Sequence, residues 1–254
     1  GTISAAALIQ DRKVLRYVGK KYITARREMG FLTPSKGFEY ATIKGHKCAI
    51  IVGDDLSREH DFDQSVETVI SINSRKYGKG TMTYRYEMMR NLAFVESKNL
   101  VLVNQVGGST DIVYDGTSGA LNSRGELVLM MKNFEEDFQI FDTKASARPI
   151  TIPSTYNDRT RLVYEAARCG LRDFFRKNGY RKASIGLSGG IDSAVVASIA
   201  ADALGAENVR ALLMPSPFSS LESVEDAKEL ARNLGIEYNV IPISEIYTSV
   251  VNTL

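Results

Sequence analysis

Low cysteine content, near-neutral charge and the absence of any long apolar segment exclude several protein classes for this chain of 254 residues. Its two cysteines, Cys48 and Cys169, are too few for a disulfide framework, and no CxxC pair or Cys/His cluster indicates a zinc site. The 32 basic and 30 acidic residues give a net charge of +2, which indicates neither nucleic acid nor a membrane surface as a partner. Cysteine usage of this kind is typical of the cytoplasm.

Targeting and membrane segments are also missing from the sequence. No apolar run approaches the roughly 20 residues of a membrane span, and the first residues lack the basic and then apolar order of a signal peptide. The chain opens directly in strand-like sequence at residues 5–9, which is typical of the middle of a domain. With 44% hydrophobic and 24% charged residues the composition is globular, and the length allows two domains.

Short β-type runs separated by turns fill the first predicted domain, residues 1–143. Two of them, 5–9 and 14–18, flank the polar segment QDRK and predict a β-hairpin. Helical spacing over residues 82–95 predicts a helix with Met88, Leu92 and Val95 on one side. Further strands are predicted at residues 48–52, 66–72, 100–103, 112–114 and 127–131, with a short helix as the alternative at 66–72.

A polar stretch, DTKASARPITIPSTYNDR, interrupts this pattern and predicts a linker at residues 144–158. A long surface connection within a single domain is the alternative. The second predicted domain, residues 159–254, alternates strands at 183–187, 209–214 and 238–243 with helices at 162–178, 191–204, 221–234 and from 244. This alternation predicts βαβ units and a doubly wound, Rossmann-like parallel sheet that binds ligands at the carboxyl ends of its strands.

The segment GLSGGIDS, residues 186–193, lies where a predicted strand ends and a helix begins. The first turn of a helix presents unpaired N–H groups and a positive dipole end, and glycines let the backbone approach phosphate oxygens. Ser188 and Ser193 add hydroxyl donors, and Asp192 is predicted to bind a Mg²⁺ that accompanies the phosphate. The loop is neither a Walker A loop nor GxGxxG. We expect it to bind pyrophosphate; a capped Gly-rich turn without a ligand is the alternative.

Residues 188–193 resemble the PP-loop of ATP pyrophosphatases, and residues 171–243 are similar to NAD synthetases through LRDFFRKNGY, GLSGGIDSAVVASIAADALGAENV, LLMPSPFSS and DAKELARNLGI. The resemblance implies a C–N ligase that uses ATP and Mg²⁺. In this reaction the carboxylate of deamido-NAD attacks the α-phosphate of ATP, and ammonia then displaces AMP to give NAD. The implied ATP and pyrophosphate contacts, with Asp192 also the metal ligand, are Gly186, Leu187, Ser188, Gly189, Gly190, Ile191, Asp192, Ser193, Met214 and Ser220.

Some of these positions have alternatives. Met214, at the end of the next predicted strand, either lies along the adenine with its backbone or packs its side chain in the core. The hydroxyls of Ser219, Ser220 and Ser223 either contact ATP or cap the helix that follows, where serine is favoured.

The first half resembles the nitrilase-like glutaminase domain that is fused to glutamine-dependent NAD synthetases, through VNQVGG at residues 103–108 and through Asn73 and Arg85. The resemblance implies a partial αββα sandwich, a homo-oligomer, and glutamine or ammonia as the nitrogen donor. In that family Glu, Lys and Cys act together on the glutamine amide. Lys20 matches the lysine as a catalytic remnant, with Lys21 as the alternative, whereas Gly53 stands at the cysteine position.

The missing thiol predicts that this half is inactive as a glutaminase and serves as a scaffold. Cys48 and Cys169 are predicted to be buried small hydrophobes rather than replacements for the nucleophile. His46 and His60 have no visible partners in the sequence and are predicted to lie on the surface rather than to act as ligands. The family glutamate would lie before residue 1 and further family sequence after residue 254, so the chain is expected to be incomplete at both ends.

Three functions follow from these patterns. The first is an NAD synthetase, or a part of one, that uses ammonia. The second is another PP-loop enzyme, such as a thiolase of tRNA or an amide-forming ligase; the lack of basic patches and extra cysteines argues against the tRNA enzyme. The third is a non-catalytic ATP-binding regulatory or assembly subunit, against which the intact loop with Asp192 argues.

Overall fold

The computed structural model describes residues 2–26, 28–58, 60–143 and 148–253. The chain divides into two compact units, one of residues 1–107 and 112–159 and the other of residues 108–111 and 160–254. Residues 144–147 of the predicted linker lie outside the described residues, and the domain limits predicted from the sequence remain predictions. Within the described ranges, no helix combines the length and the apolar character needed to cross a membrane.

Unit 1 consists mainly of strands. Its elements, in chain order, are β1 (Ala5–Gln10), β2 (Lys13–Gly19), β3 (Glu39–Ile43), β4 (His46–Val52), β5 (Thr68–Asn73), α1 (Thr81–Glu96), β6 (Asn99–Asn104), β7 (Val106–Ser109), β8 (Ile112–Asp115), β9 (Gly119–Leu121) and β10 (Leu127–Met130). A 3-10 turn at Gly53–Ser57 follows β4, and another lies at Ser154–Tyr156. The strand predicted at residues 66–72 is confirmed as β5, and the alternative of a short helix is wrong. Strands β3, β7 and β9 were not predicted.

The predicted hairpin is formed by β1 and β2, which pair antiparallel around a two-residue turn. Asp11 and Arg12 at the turn have φ of 48° and 62°, the left-handed conformation that suits a tight turn between twisted strands. Short polar side chains such as Asp tolerate this conformation, and the polar segment between two apolar runs therefore encodes the hairpin locally.

A six-stranded sheet with the order β10-β9-β6-β5-β4-β3 forms the centre of unit 1. Its middle strands β4, β5 and β6 run parallel, and the outer pairs are antiparallel. Side chains alternate between the two faces of β4: Ala49 and Ile51 belong to the core with α1, and Ile50 packs with Val18 of β2. Helix, sheet and hairpin therefore form three layers, in agreement with the predicted partial sandwich.

Helix α1 is confirmed, and of the three residues predicted to share one side, Leu92 is buried and Met88 packs against the same core, whereas Val95 is 67% exposed. The helix also buries Arg85, whose guanidinium turns inward and donates to Asp115 Oδ1 at 2.8 Å. A buried ion pair is a long-range feature that apolar periodicity does not detect.

Unit 2 alternates helices and strands as predicted. Its elements are α2 (Arg159–Asn178), β11 (Ala183–Gly186), α3 (Ile191–Leu204), a 3-10 turn (Ala206–Asn208), β12 (Val209–Leu213), α4 (Leu221–Leu234), β13 (Glu237–Val240) and α5 (Ser244–Thr253). The three strands form a parallel sheet in the order β11-β12-β13. Helices α3 and α4 contact each other through a core rich in alanine, which lets them pack closely.

Two local features of unit 2 differ from the sequence pattern. Strand β13 ends at Val240 rather than Ile243, although the N–H of Ile241 still donates to the carbonyl of Leu213 at 2.8 Å. Residues 108–111 join this unit because the N–H of Gly108 donates to Asp173 Oδ2 at 2.7 Å. A Cβ atom at Gly108 would lie 3.1 Å from the Cα of Gly170, so only glycine allows this approach without a shift.

Candidate functional site

The predicted phosphate loop connects the end of β11 to the start of α3. Leu187 is buried and anchors the loop, and its N–H donates to the carbonyl of Leu212 at 3.0 Å. Gly190 is the N-cap of α3 and has an extended backbone. The first turn of α3 therefore begins directly after the glycine pair, with its free N–H groups at the end of the strand.

Two hydroxyl groups face each other across this turn. The Oγ atoms of Ser188 and Ser193 are 3.1 Å apart, and Ser193 Oγ accepts the N–H of Ser188 at 3.2 Å. The N–H of Gly190 points to Ser188 Oγ at 3.3 Å. Hydroxyls and backbone N–H groups are thus gathered at one helix N-terminus, which is the composition of an anion site.

Gly189 brings the loop against the neighbouring helix. Its φ is +79°, and a Cβ atom at this position would lie 2.2 Å from the carbonyl oxygen of Ser223 in the first turn of α4. No side chain fits into that space without movement of α4 or of the loop. Glycine at this position is therefore required both by backbone conformation and by packing.

A cavity of about 450 Å³ opens beside the loop. Met214 lines it and is 48% exposed, so the alternative that this side chain packs in the core is wrong. Ser220 also lines the cavity and is the N-cap of α4, where its side chain accepts the N–H of Ser223 at 3.1 Å. Gly186 and Ser188 of the loop, Ser219 before α4 and Ser223 in the first turn of α4 also line the cavity.

Asp192 lies exposed in the first turn of α3. In the described ranges no three His, Cys, Asp or Glu side chains gather as a metal cluster. A Mg²⁺ at this loop would therefore depend on at most two protein carboxylates and on ligand oxygens. This donor set fits Mg²⁺, which proteins commonly hold through one or two carboxylates together with substrate phosphates.

The predicted catalytic remnant, Lys20, lies in unit 1 and is 5% exposed. Its Nζ is 2.9 Å from Glu28 Oε2 and 3.2 Å from Asp54 Oδ2. Burial by itself lowers the pKa of Lys20, but the hydrogen bonds to Glu28 and Asp54 outweigh burial and raise the pKa above its usual value. Lys20 is therefore a charged ammonium group held between two carboxylates.

Gly53 lies directly after β4, facing this lysine. Its φ is +62°, and a Cβ atom built on it would lie 3.5 Å from Lys20 Cε and 3.6 Å from Lys20 Nζ. The position that the resemblance assigns to a cysteine is thus adjacent to the lysine that the resemblance assigns to the same site. The off-by-one alternative, Lys21, instead has its Nζ 3.8 Å from the ring centre of Phe38.

Comparison with known proteins connects both units to one family. A family model described as NAD synthase matches residues 163–254. A glutamine-dependent NAD(+) synthetase from Acinetobacter baylyi is 32% identical and aligns with 99% of this chain and 48% of its own length. One from Synechocystis is 33% identical and aligns with 96% of this chain and 47% of its own length.

The chain is similar to glutamine-dependent NAD synthetases along nearly its whole length, and its residues 163–254 match the NAD synthase family. The solved structure of a glutamine-dependent NAD+ synthetase from Acinetobacter baumannii in complex with ADP matches 99% of this chain and 50% of that one, with a TM-score of 0.85 and 31% identity. A glutamine-dependent NAD(+) synthetase from Cytophaga hutchinsonii, at 16% identity and a TM-score of 0.80, shares the fold. The chain spans about half the length of the curated relatives that it matches.

Several residues around the family's lysine position were missed by sequence reasoning. Glu28 and Asp54 pair with Lys20 from 8 and 34 residues away, so no local pattern connects them. Asp55 is buried, and its carboxylate accepts the N–H groups of Lys21 at 2.9 Å and of Tyr22 at 2.8 Å. The available signal was the pair of adjacent aspartates, Asp54 and Asp55, that follows the buried strand β4.

The prediction of surface positions holds for His46 but not for His60, and the cysteine prediction is confirmed. His46 is partly exposed, and its Nδ1 is 2.9 Å from Glu67 Oε2. The ring of His60 instead stacks on the rings of Phe38 and Phe62 at centroid distances of 5.2 and 4.8 Å, and its Nε2 is buried. Phe38 is distant in sequence, so no local pattern indicates this contact. Cys48 and Cys169 are buried and free, and burial raises the pKa of both thiols.

Proposed function

We propose that unit 2 contributes the ATP site for amidation of deamido-NAD to NAD through an adenylylated intermediate. The observation that carries this proposal is the convergence of Ser188, Ser193 and the N-terminus of α3 beside a cavity of about 450 Å³. Hydroxyls and unpaired N–H groups at a helix N-terminus stabilise the negative charge that develops on a leaving pyrophosphate. The match of residues 163–254 to the NAD synthase family supports the choice of deamido-NAD as the second substrate.

The proposed chemistry has two steps. A carboxylate oxygen of deamido-NAD attacks the α-phosphorus of ATP, the bond to the β-phosphate oxygen breaks, and pyrophosphate leaves from the loop. Ammonia then attacks the carbonyl carbon of the mixed anhydride, AMP leaves, and the amide of NAD forms with release of a proton. Neither step needs a covalent protein nucleophile, so the loop contributes by positioning and by electrostatic stabilisation.

The proposed contacts divide by position. Backbone and hydroxyl groups of residues 186–191 and Ser193 bind the phosphates, and Met214 borders the nucleotide from the edge of the cavity. Ser220 lines the same cavity as the N-cap of α4. Asp192 is the proposed ligand of Mg²⁺, which when bound supplies positive charge to the phosphates.

Unit 1 is proposed to lack glutaminase activity. Lys20 and its carboxylate partners are present, but Gly53 has no side chain that could attack a glutamine amide. Cys48 cannot replace the nucleophile, because it is buried within β4 and its thiol pKa is raised by burial. We therefore propose free ammonia as the nitrogen source. Two free, buried thiols also fit a reducing compartment such as the cytoplasm, and a homo-oligomer stays a prediction.

The test is to incubate the purified chain with MgATP and deamido-NAD, supply either ammonium or glutamine, and measure pyrophosphate and NAD by mass spectrometry. We expect NAD with ammonium and none with glutamine, and neither product from Asp192→Ala. NAD from glutamine would contradict the inactive glutaminase. Binding of MgATP without pyrophosphate from either donor would favour a non-catalytic ATP-binding subunit.

A further inference from the structure

The first turn of α4 determines the shape of the phosphate loop. The Cβ position of Gly189 lies 2.2 Å from the carbonyl oxygen and 2.9 Å from the Cα of Ser223, so loop and helix backbones are in direct contact. Movement of this turn would therefore either release the glycine pair or push it toward the cavity. The loop conformation depends on α4 as well as on α3.

That turn is held by one side chain. Ser220 is the N-cap of α4; its Oγ accepts the N–H of Ser223 at 3.1 Å and lies 2.8 Å from the Oγ of Ser223. The cap therefore fixes the same residue whose carbonyl contacts Gly189. Capping of this kind stabilises the first turn of a helix, and its loss lets that turn fray.

We propose that Ser220 is a positioning residue, which holds the phosphate loop in its anion-binding conformation through Ser223 and Gly189 rather than by touching ATP. The proposal rests on the proposed ATP site in unit 2. A serine beside a nucleotide cavity can either bind the nucleotide or cap the neighbouring helix. The Ser220 hydroxyl caps the helix, because it accepts the N–H of Ser223 in α4. A direct ligand would need its hydroxyl; a positioning residue needs only a residue that caps the helix.

Three substitutions distinguish these roles. Asparagine and glycine are both accepted at N-caps, and glycine carries no side-chain donor, whereas alanine is a poor cap. We expect Ser220→Asn and Ser220→Gly to keep the affinity for MgATP within about twofold, and Ser220→Ala to weaken it about fivefold, the scale of a lost cap. Isothermal titration calorimetry with MgATP measures this order.

Hydrogen exchange provides a readout that does not require nucleotide. In the full chain without ligand, the amides of residues 188–192 should exchange about fivefold faster in Ser220→Ala than in the wild type, and at the wild-type rate in Ser220→Asn. Gly235→Ala is the matched control, because Gly235 ends the same helix with φ of +68° and alanine there strains the opposite end. It should leave loop exchange unchanged.

The outcomes separate the two proposals. Equal loss of affinity in Ser220→Gly and Ser220→Ala, with unchanged loop exchange, would show a direct ligand and overturn the positioning role. Faster loop exchange in Gly235→Ala would also overturn it, since general loosening of α4 would then suffice. A wild-type chain that fails to bind MgATP would contradict the proposed ATP site alone, because exchange in the loop still tests the role of Ser220.

Discussion

A Cβ atom on Gly53 would lie 3.6 Å from the Nζ of Lys20, and its other two nearest neighbours, at 3.5 and 3.9 Å, are the Cε and Cδ atoms of the same lysine. The site therefore has room for the first atom of a side chain, directly beside Lys20. The backbone is less permissive, because a φ of +62° costs a residue with a Cβ about 1–2 kcal/mol.

The first prediction concerns Gly53→Cys. The variant should fold with a stability loss of about 1–2 kcal/mol from the left-handed backbone. Its new thiol should react with iodoacetamide at least about tenfold faster than Cys48 and Cys169, since those thiols are buried and their pKa values are raised by burial. Peptide mass spectrometry after timed labelling at pH 7.5 measures the three rates separately.

Lys20→Met in the Gly53→Cys background is the control for this prediction. Removing the ammonium takes away the cation that Glu28 and Asp54 share, and the two carboxylates then raise the pKa of the nearby thiol. Labelling at position 53 should then slow down. An unchanged rate would mean that Lys20 does not influence a side chain at position 53.

Local patterns predicted most of the fold. The β1–β2 hairpin, the alternation of unit 2 and the loop before α3 each follow from contiguous residues whose periodicity or turn chemistry specifies one structure. Strand β3 escaped because its residues, EYATI, mix polar and apolar types and gain their partner only by pairing with β4. Short edge strands depend on tertiary pairing more than on their own composition.

The candidate sites divide in the same way. The phosphate loop is contiguous, so its residues could be named from the sequence. By contrast, the contact between Gly189 and Ser223 joins positions that are distant in sequence, and the pairs of Lys20 with Glu28 and Asp54 also need the folded chain. A single sequence contains no signal for such pairs, because their geometry arises only after packing.

The second prediction compares the two glycines of the loop. Gly189→Ala should weaken MgATP binding by about tenfold or more, because its Cβ would lie 2.2 Å from the Ser223 carbonyl at a φ of +79°. Gly190→Ala should have an effect below about fivefold, since its φ is −86° and the nearest atom, Ser188 Oγ, lies 3.4 Å away. Calorimetric titration with MgATP checks both. Equal losses would show that a methyl group in the anion path matters more than the contact with α4.

The third prediction contrasts two ion pairs of similar length. Arg85 and Asp115 are 2.8 Å apart with side chains 1% and 2% exposed, and Arg210 and Glu237 are 2.7 Å apart with side chains 51% and 66% exposed. Asp115→Ala should cost about 3–5 kcal/mol, because it leaves a buried guanidinium without its carboxylate. Glu237→Ala should cost at most about 1 kcal/mol. Urea unfolding measures both, and similar losses would contradict burial as the deciding factor.

The fourth prediction concerns pH and Asp173. Burial by itself raises the pKa of this carboxyl, but the N–H of Gly108 and the guanidinium of Arg172 stabilise the ionised form more, so the pKa lies below its ordinary value of 3.8. A carboxyl with a lowered pKa contributes stability that is present above the unfolded value and is lost as the pH falls through the folded value. The stabilising contribution of Asp173 should therefore be complete at neutral pH and decline below about pH 4.

Asp173→Asn tests this prediction. At pH 7 the variant should lose about 1.5–3 kcal/mol of unfolding free energy, because a buried hydrogen-bonded charge is replaced by a neutral amide. The other carboxyls titrate in both proteins, so the difference between wild type and variant isolates position 173. Urea unfolding at pH 7, 5, 4 and 3 should show that difference shrinking as the acid protonates Asp173. A difference that stays constant over the series would mean that the substitution acts through packing against Gly108 and not through the ionised carboxylate.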